Sequence, residues 1–137
     1  MDGQQKMLVG SLGAMEKMLL IVQDKLQQGV SSKHIIWLLD IQFLQVCDDV
    51  METAWSTMWN VTDETPVNCD RFLNGGGMYL FLKCKERFPE RADLLRNMMG
   101  LLGNVAEVPS VRHKLMTKEF VEEFAFLLDS CKDGIEV

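Results

Sequence analysis

The chain has 137 residues and a formal net charge of -6, with 47% hydrophobic and 25% charged residues. This length suits one domain, and the negative balance argues against a general surface for nucleic acid or for anionic membranes. Leu, Met, Glu and Lys dominate while runs of β-branched residues are scarce, so the composition predicts an all-α fold.

The four cysteines form no recognisable metal site or disulfide framework. Cys47, Cys69, Cys84 and Cys131 include no CxxC pair, and neither histidine stands at ligand spacing. We therefore expect no metal, no cofactor, and reduced cysteines in an intracellular protein, cytoplasmic or nuclear. The polar first residues predict no signal peptide, and no stretch reaches the roughly 18 apolar residues of a membrane span.

The first part of the chain predicts helices separated by glycines. Residues 4–9 resemble the end of a helix, and residues 14–28 have the spacing of an amphipathic helix that ends at Gly29. Residues 30–46 are apolar on nearly every side of a helix. They form either a buried linker helix or an insertion into the repeat pattern.

A tryptophan–asparagine motif, WNVTDETP at residues 59–66, closes the next predicted helix. Apolar residues fall at helical spacing over residues 48–58, and Pro66 disfavours helical geometry in the residue before it. Trp59, Asn60 and Asp63 therefore lie on the last helical turn. Their i, i+3 and i+4 spacing lets them share one face.

The same design returns 44 residues later, where Asn104 aligns with Asn60 and Glu107 with Asp63. A period in the forties with one helical unit per period is typical of armadillo or HEAT solenoids. Predicted helices at 67–74, 78–88 and 91–108 have the three-helix order of an armadillo unit. Gly100 and Gly103 each cost about 1 kcal/mol against alanine in that third helix. We expect close approach of a neighbouring helix or of a ligand backbone to compensate.

Residues 1–137 are accordingly predicted to form a single armadillo-like domain fragment. Its repeat units span about 12–63, 67–108 and 110–137. Gly13 matches Gly76 at an offset of 63 residues, about 20 more than the later period. This excess predicts an insertion at 30–46. We expect the solenoid to be incomplete at both ends, with a third unit that lacks its last helix.

Repeated amides and acids on successive inner helices favour peptide binding over catalysis. No nucleophile–base pair or phosphate-binding loop is recognisable, so we predict that the chain is not an enzyme. An asparagine can pair with the N–H and C=O of an extended ligand, while Asp63 and Glu107 would attract a primary amine. Trp59 would wall that pocket.

Other interpretations of these residues remain open. Asn60 and Asn104 could be helix C-terminal caps. Trp59 could be a core aromatic, although Trp55 suits that role better. Asp63 and Glu107 could form an acid/base pair.

The motif at 59–66, Asn68-Cys69 after it, and LLGNVAEV at 101–108 resemble the armadillo region of the Zyg eleven family. The similarity covers about residues 48–137 and also 12–26. Members of that family are substrate receptors of cullin-two RING ubiquitin ligases, with leucine-rich repeats ahead of the armadillo repeats. They recognise proteins that begin with glycine, whose free α-amine docks in the armadillo groove. The resemblance implies amine and backbone contacts at Trp59, Asn60, Asp63, Asn104 and Glu107.

Against that family pattern, the chain is expected to lack the leucine-rich repeats and the box through which full-length relatives bind cullin-two and elongin adaptors. The resemblance implies a non-catalytic module that binds glycine N-degrons, so that target proteins are ubiquitinated and degraded by the proteasome. The alternative is a general armadillo scaffold that binds internal peptide segments, as nuclear import receptors do.

Overall fold

The computed structural model describes residues 2–32 and 42–132, and the regular elements within these ranges are all helical. The all-α prediction is therefore confirmed. A short 3₁₀ turn, His113–Leu115, joins the last two α-helices. In chain order the helices are α1 Gly3–Ser11, α2 Ala14–Ser32, α3 Gln42–Thr62, α4 Pro66–Asn74, α5 Gly77–Arg87, α6 Ala92–Ala106, α7 Pro109–Arg112 and α8 Lys118–Lys132.

These helices stack as repeated units. A short helix, a second helix and a long third helix follow one another in α1–α3 and again in α4–α6. Each helix of the first group packs on its counterpart in the second, so that α1 contacts α4, α2 contacts α5 and α3 contacts α6. The pairing of the third helices α3 and α6 is the most extensive. This arrangement confirms a helical-repeat fold.

Two glycines make equivalent turns between the first and second helix of each unit. Gly13 has φ 78° and Gly76 has φ 79°, in the left-handed region that residues with a Cβ rarely adopt. The following helices begin one residue later, at Ala14 and Gly77. The sequence alignment of Gly13 with Gly76 therefore corresponds to the same backbone turn.

Prolines fix where the units begin. Pro66 opens α4 and Pro109 opens α7, each at the start of its helix, where the missing N–H costs no hydrogen bond. Before Pro66 the chain leaves α3 through a turn in which Glu64 has φ 51°. The long third helices α3 and α6 therefore both end shortly before a proline.

Trp55 is the centre of the hydrophobic core. Its fully buried indole meets the rings of Phe72 on α4 and Phe81 on α5 edge-on, with centroids 6.0 and 6.1 Å away. Edge-to-face aromatic pairs add to the stability that apolar burial gives. Buried methionines fill the space around this cluster: Met15, Met51, Met58, Met78 and Met98. Of the two tryptophans within the described residues, Trp55 is fully buried in the core, whereas Trp59 is half-buried.

The predicted insertion at 30–46 falls largely outside the described residues. Its first residues belong to α2, which runs to Ser32, and its last ones to α3, which begins at Gln42. Within the described ranges, no helix combines the length and the apolar character needed to cross a membrane.

Candidate peptide-binding site

Trp59 lies near the end of α3, with its indole against Gly100 of α6. Any side chain at Gly100 would overlap the indole ring. Trp59 is half-buried and packs against the hydrophobic core with one part of its surface. Close approach of two helices therefore compensates for the low helix propensity of Gly100.

Gly103 differs from Gly100 in its surroundings. A Cβ added there would meet no atom within 4 Å, and the residue is exposed. Packing inside the chain therefore does not explain a glycine at this position. The predicted approach of a ligand backbone at Gly103 stays a prediction.

Asn60 is exposed on the last turns of α3. Its side-chain amide donates a hydrogen bond of 3.0 Å to the carbonyl of Ser56, one turn earlier on the same helix. The side chain also lines a surface pocket, whose wall consists of Lys6, Thr57, Asn60, Val61 and Asp63. Asn60 is thus part of a polar depression beside the end of α3.

Asn104 binds the neighbouring helix. Its Nδ2 donates to the carbonyl of Trp59 at 3.0 Å and to the hydroxyl of Thr62 at 3.1 Å. The hydroxyl of Thr62 also donates to the Trp59 carbonyl at 2.9 Å, so Asn104 adds a second side-chain bond at the carboxyl end of α3. Asn104 lies inside α6, whose C-cap is Glu107, so it does not cap its own helix; its amide instead bonds the end of α3 across the helix interface. Its amide oxygen accepts no hydrogen bond from the described residues.

Asp63 directly follows α3 and already has a cationic partner. Its carboxylate accepts from the ammonium of Lys6 at 3.1 Å, and its backbone carbonyl accepts from the same Nζ at 3.1 Å. The Asp63 side chain is 56% exposed, whereas that of Lys6 is 11% exposed. More than half of the Asp63 side chain thus remains open to solvent.

Sequence reasoning missed Lys6. It lies 57 residues before Asp63, on a helix that the sequence predicted only as a helical end. The short helix α1 mixes polar and apolar residues without a clear apolar face, so its sequence does not indicate that Lys6 is buried. The available signal was the rule that a buried lysine requires an acid near its ammonium.

Glu107 follows α6 as Asp63 follows α3, but its carboxylate has no ion pair with any described residue. The carboxyl end of α6 is held by Arg112, whose guanidinium donates to the carbonyls of Ala106 at 2.6 Å and Glu107 at 3.4 Å. Arg112 contacts only the backbone carbonyl of Glu107, so the exposed side chain of Glu107 is available to a ligand.

The structure brings several of the five predicted residues together. Asn104 contacts Trp59, and Asn60 shares a pocket wall with Asp63. No hydrogen bond or ion pair joins the Glu107 side chain to the other four. Two helix carboxyl ends meet here, each with an acid directly after it. The partial negative charge of helix carboxyl ends adds to that of the carboxylates, and the combination attracts a cation.

The cysteines described in the structure serve packing. Burial raises the pKa of Cys69 to about 11 and that of Cys84 to about 12. Both thiols are free and protonated at neutral pH, hence poor nucleophiles. In the part of the chain that the structure describes, no three His, Cys, Asp or Glu side chains converge to hold a metal.

Comparison with known proteins identifies relatives along the whole chain. A family model described as the C-terminal domain of Protein zer-1 homolog-like proteins matches residues 1–137. Protein zer-1 homolog of Drosophila melanogaster is 57% identical over 136 residues, which is 99% of this chain and 15% of that protein. The Homo sapiens Protein zer-1 homolog is 49% identical over 99% of this chain and 16% of its own length.

A third relative links the chain to the predicted resemblance. Zyg eleven-related protein 1 of Caenorhabditis elegans is 46% identical over 99% of this chain and 13% of that protein. The chain thus spans between 13% and 16% of the length of these relatives. The predicted resemblance to the Zyg eleven family is confirmed: the chain belongs to the family of Protein zer-1 homologs, whose C-terminal domain model it matches throughout.

Proposed function

We propose that the chain is a non-catalytic module that binds the free N-terminal glycine of target proteins. In this proposal it serves as the substrate-recognition part of a cullin-RING ubiquitin ligase, which marks those targets for degradation. Contacts with cullin-two and elongin adaptors would be made by other parts of the longer relatives. Membership of the zer-1 homolog family supports the proposal, and the geometry of two helix ends carries it.

The observation that carries it is the meeting of two helix carboxyl ends, each followed by an acid. Asn104 ties α6 to α3 through the carbonyl of Trp59, and Asp63 and Glu107 come directly after these helices. Helix carboxyl ends and carboxylates both stabilise a positive charge. A primary ammonium is the ligand group that suits this surrounding. The bond of Lys6 to both the carbonyl and the carboxylate of Asp63 supports this assignment.

Glycine at the first ligand position agrees with the neighbouring surfaces. Because Gly100 has no side chain, the Trp59 indole packs directly against α6 and would form one wall of the site. Gly103 leaves the backbone of α6 open for close approach of a ligand backbone. A rigid wall on one side and a close backbone on the other leave little space for a first side chain.

The test is a titration of the chain with one peptide in two forms, with a free N-terminal glycine or with that amine acetylated. We expect acetylation to weaken binding by about 1.5–3 kcal/mol, the range for a hydrogen bond to a charged group. A matched peptide that begins with leucine checks the space at the first position. Equal binding of the free and acetylated forms would favour the alternative, a general scaffold for internal peptide segments.

A further inference from the structure

Lys6 is a buried cation inside the candidate site. Only 8% of the residue is exposed, and its ammonium lies 3.1 Å from both the carbonyl and a carboxylate oxygen of Asp63. It also lines the pocket that Asn60 and Asp63 share. A positive charge that is paired with Asp63 therefore lies beside the place where the ligand ammonium is proposed to bind.

A hydrogen bond from the Asn68 side chain fixes the backbone of Lys6. The amide of Asn68 donates to the carbonyl of Lys6 at 2.9 Å and to that of Val61 at 2.8 Å, which ties α1 to α3. Asn68 in turn lies against Gly10 of α1, where a Cβ would overlap its side chain. Leaving Asp63 would strand a mostly buried ammonium, which carries a large desolvation cost. Lys6 is therefore a fixed charge.

We propose that Lys6 is a specificity-determining residue that limits the site to one additional positive charge. The inference rests on the proposed function. With Lys6 in place, Asp63 is already paired at 3.1 Å, so a ligand ammonium that binds at Asp63 stands beside a positive charge. A ligand with a basic side chain next to its N-terminal amine brings a second positive charge into the neighbourhood of Lys6. The ligand's basic side chain and the Lys6 ammonium carry like charges and repel each other, so the ligand loses affinity.

The opposite role for Lys6 makes the opposite prediction. If Lys6 served only to orient the Asp63 carboxylate, its removal would free that carboxylate to move and would weaken binding of every amine. If Lys6 limits the charge, its removal leaves Asp63 unneutralised and strengthens the binding. The sign of the change in affinity therefore separates the two roles.

The experiment compares the whole chain with its Lys6→Met and Lys6→Gln variants. Methionine keeps the unbranched apolar stem, and glutamine keeps an N–H donor without the charge. Lys114→Met is the matched control. Lys114 forms an ion pair of 2.8 Å with Asp70, and neither residue lines this pocket. The ligands are three peptides that begin Gly-Glu, Gly-Lys and acetyl-Gly-Glu. Circular dichroism and thermal melting select the variants that remain folded.

We expect each folded Lys6 variant to bind the Gly-Lys peptide about three- to tenfold more tightly, with a smaller gain for Gly-Glu, whose own carboxylate loses its attraction to Lys6. The Lys114 variant should bind like the unmodified chain. Unchanged or weaker binding of the Gly-Lys peptide by the folded Lys6 variants would overturn the inference while leaving the proposed function intact. If the unmodified chain does not distinguish free from acetylated glycine, the proposed function fails and the inference fails with it.

Discussion

The side-chain amide of Asn104 donates a 3.0 Å hydrogen bond to the backbone carbonyl of Trp59, across the interface of α6 and α3. The same amide also reaches the hydroxyl of Thr62 at 3.1 Å. These bonds join the carboxyl ends of α3 and α6. The predicted ligand-binding acids, Asp63 and Glu107, directly follow these two helices. One asparagine thereby links the fold to the candidate site, because its side chain on α6 bonds the carboxyl end of α3.

Replacing Asn104 by alanine should destabilise the chain by about 1–3 kcal/mol, since the Trp59 carbonyl and the Thr62 hydroxyl lose a part-buried partner. Asn60→Ala is the matched control. Its described bond goes to Ser56 on its own helix, in an exposed position, so we expect a change within about 0.5 kcal/mol. Urea unfolding followed by circular dichroism measures both. Equal destabilisation by the two substitutions would contradict this difference in role.

Alanine at Gly100 and Gly103 should have opposite effects on stability. Gly100→Ala forces the Trp59 indole or α6 to move, so we expect destabilisation of about 1–3 kcal/mol. Gly103→Ala meets no atom within 4 Å and should stabilise α6 by about 0.5–1 kcal/mol through helix propensity. Thermal melting of the two variants gives the sign of each change.

The Gly103 variant also tests the ligand. If a peptide backbone passes close to Gly103, the added methyl group should weaken peptide binding although it raises the melting temperature. Binding equal to that of the unmodified chain, in the stabilised variant, would show that the ligand does not approach α6 at this point.

Much of the fold could be predicted from local sequence signals. Helical spacing, the prolines at 66 and 109, and the glycines at 13 and 76 each act on neighbouring residues, so the sequence carries their effect directly. Trp55 could be separated from Trp59 for the same reason, by its place on the apolar face of one helix.

Contacts between helices could not be predicted in this way. The bond of Lys6 to Asp63 depends on how α1 stacks beside the end of α3. The partner of Asn104 depends on the register between α6 and α3. Both contacts join residues more than forty positions apart, and the spacing within one helix carries no information about such a register.

The buried cysteines should make the chain sensitive to alkaline pH. Burial raises the pKa of Cys69 from 9.0 to about 11 and that of Cys84 from 9.0 to about 12. Because the unfolded thiols ionise first, their contribution to stability is complete below pH 9 and is lost as pH rises through 11 and 12. Unfolding measured against pH should show this loss, and Cys69→Ala should reduce it.

A thiol-reactive reagent gives an independent measurement. In the folded chain at pH 8, labelling of Cys69 and Cys84 should be slow, because both are buried and protonated. Both should label rapidly in denaturant. Mass spectrometry of digested samples assigns the sites, and fast labelling of Cys84 in the folded chain would contradict its burial.

Neutralising either acid should weaken the binding of a glycine-initiated peptide. Asp63→Asn and Glu107→Gln keep the side-chain shape and remove one negative charge each. We expect each substitution to cost about 1.5–3 kcal/mol of binding, as for one hydrogen bond to a charged group. Titration with the free-amine peptide measures the cost. The acetylated peptide is the control, and its weak binding should not change.

The same two variants should differ in stability, which separates a binding effect from a folding effect. Asp63→Asn leaves the Lys6 ammonium with a carbonyl but without its carboxylate, so we expect a loss of about 0.5–1.5 kcal/mol for this part-exposed pair. Glu107 has no ion pair with the described residues, so Glu107→Gln should unfold like the unmodified chain. A Glu107→Gln variant that is fully stable and binds the free-amine peptide with unchanged affinity would refute the role of this acid. The amine site would then depend on Asp63 alone.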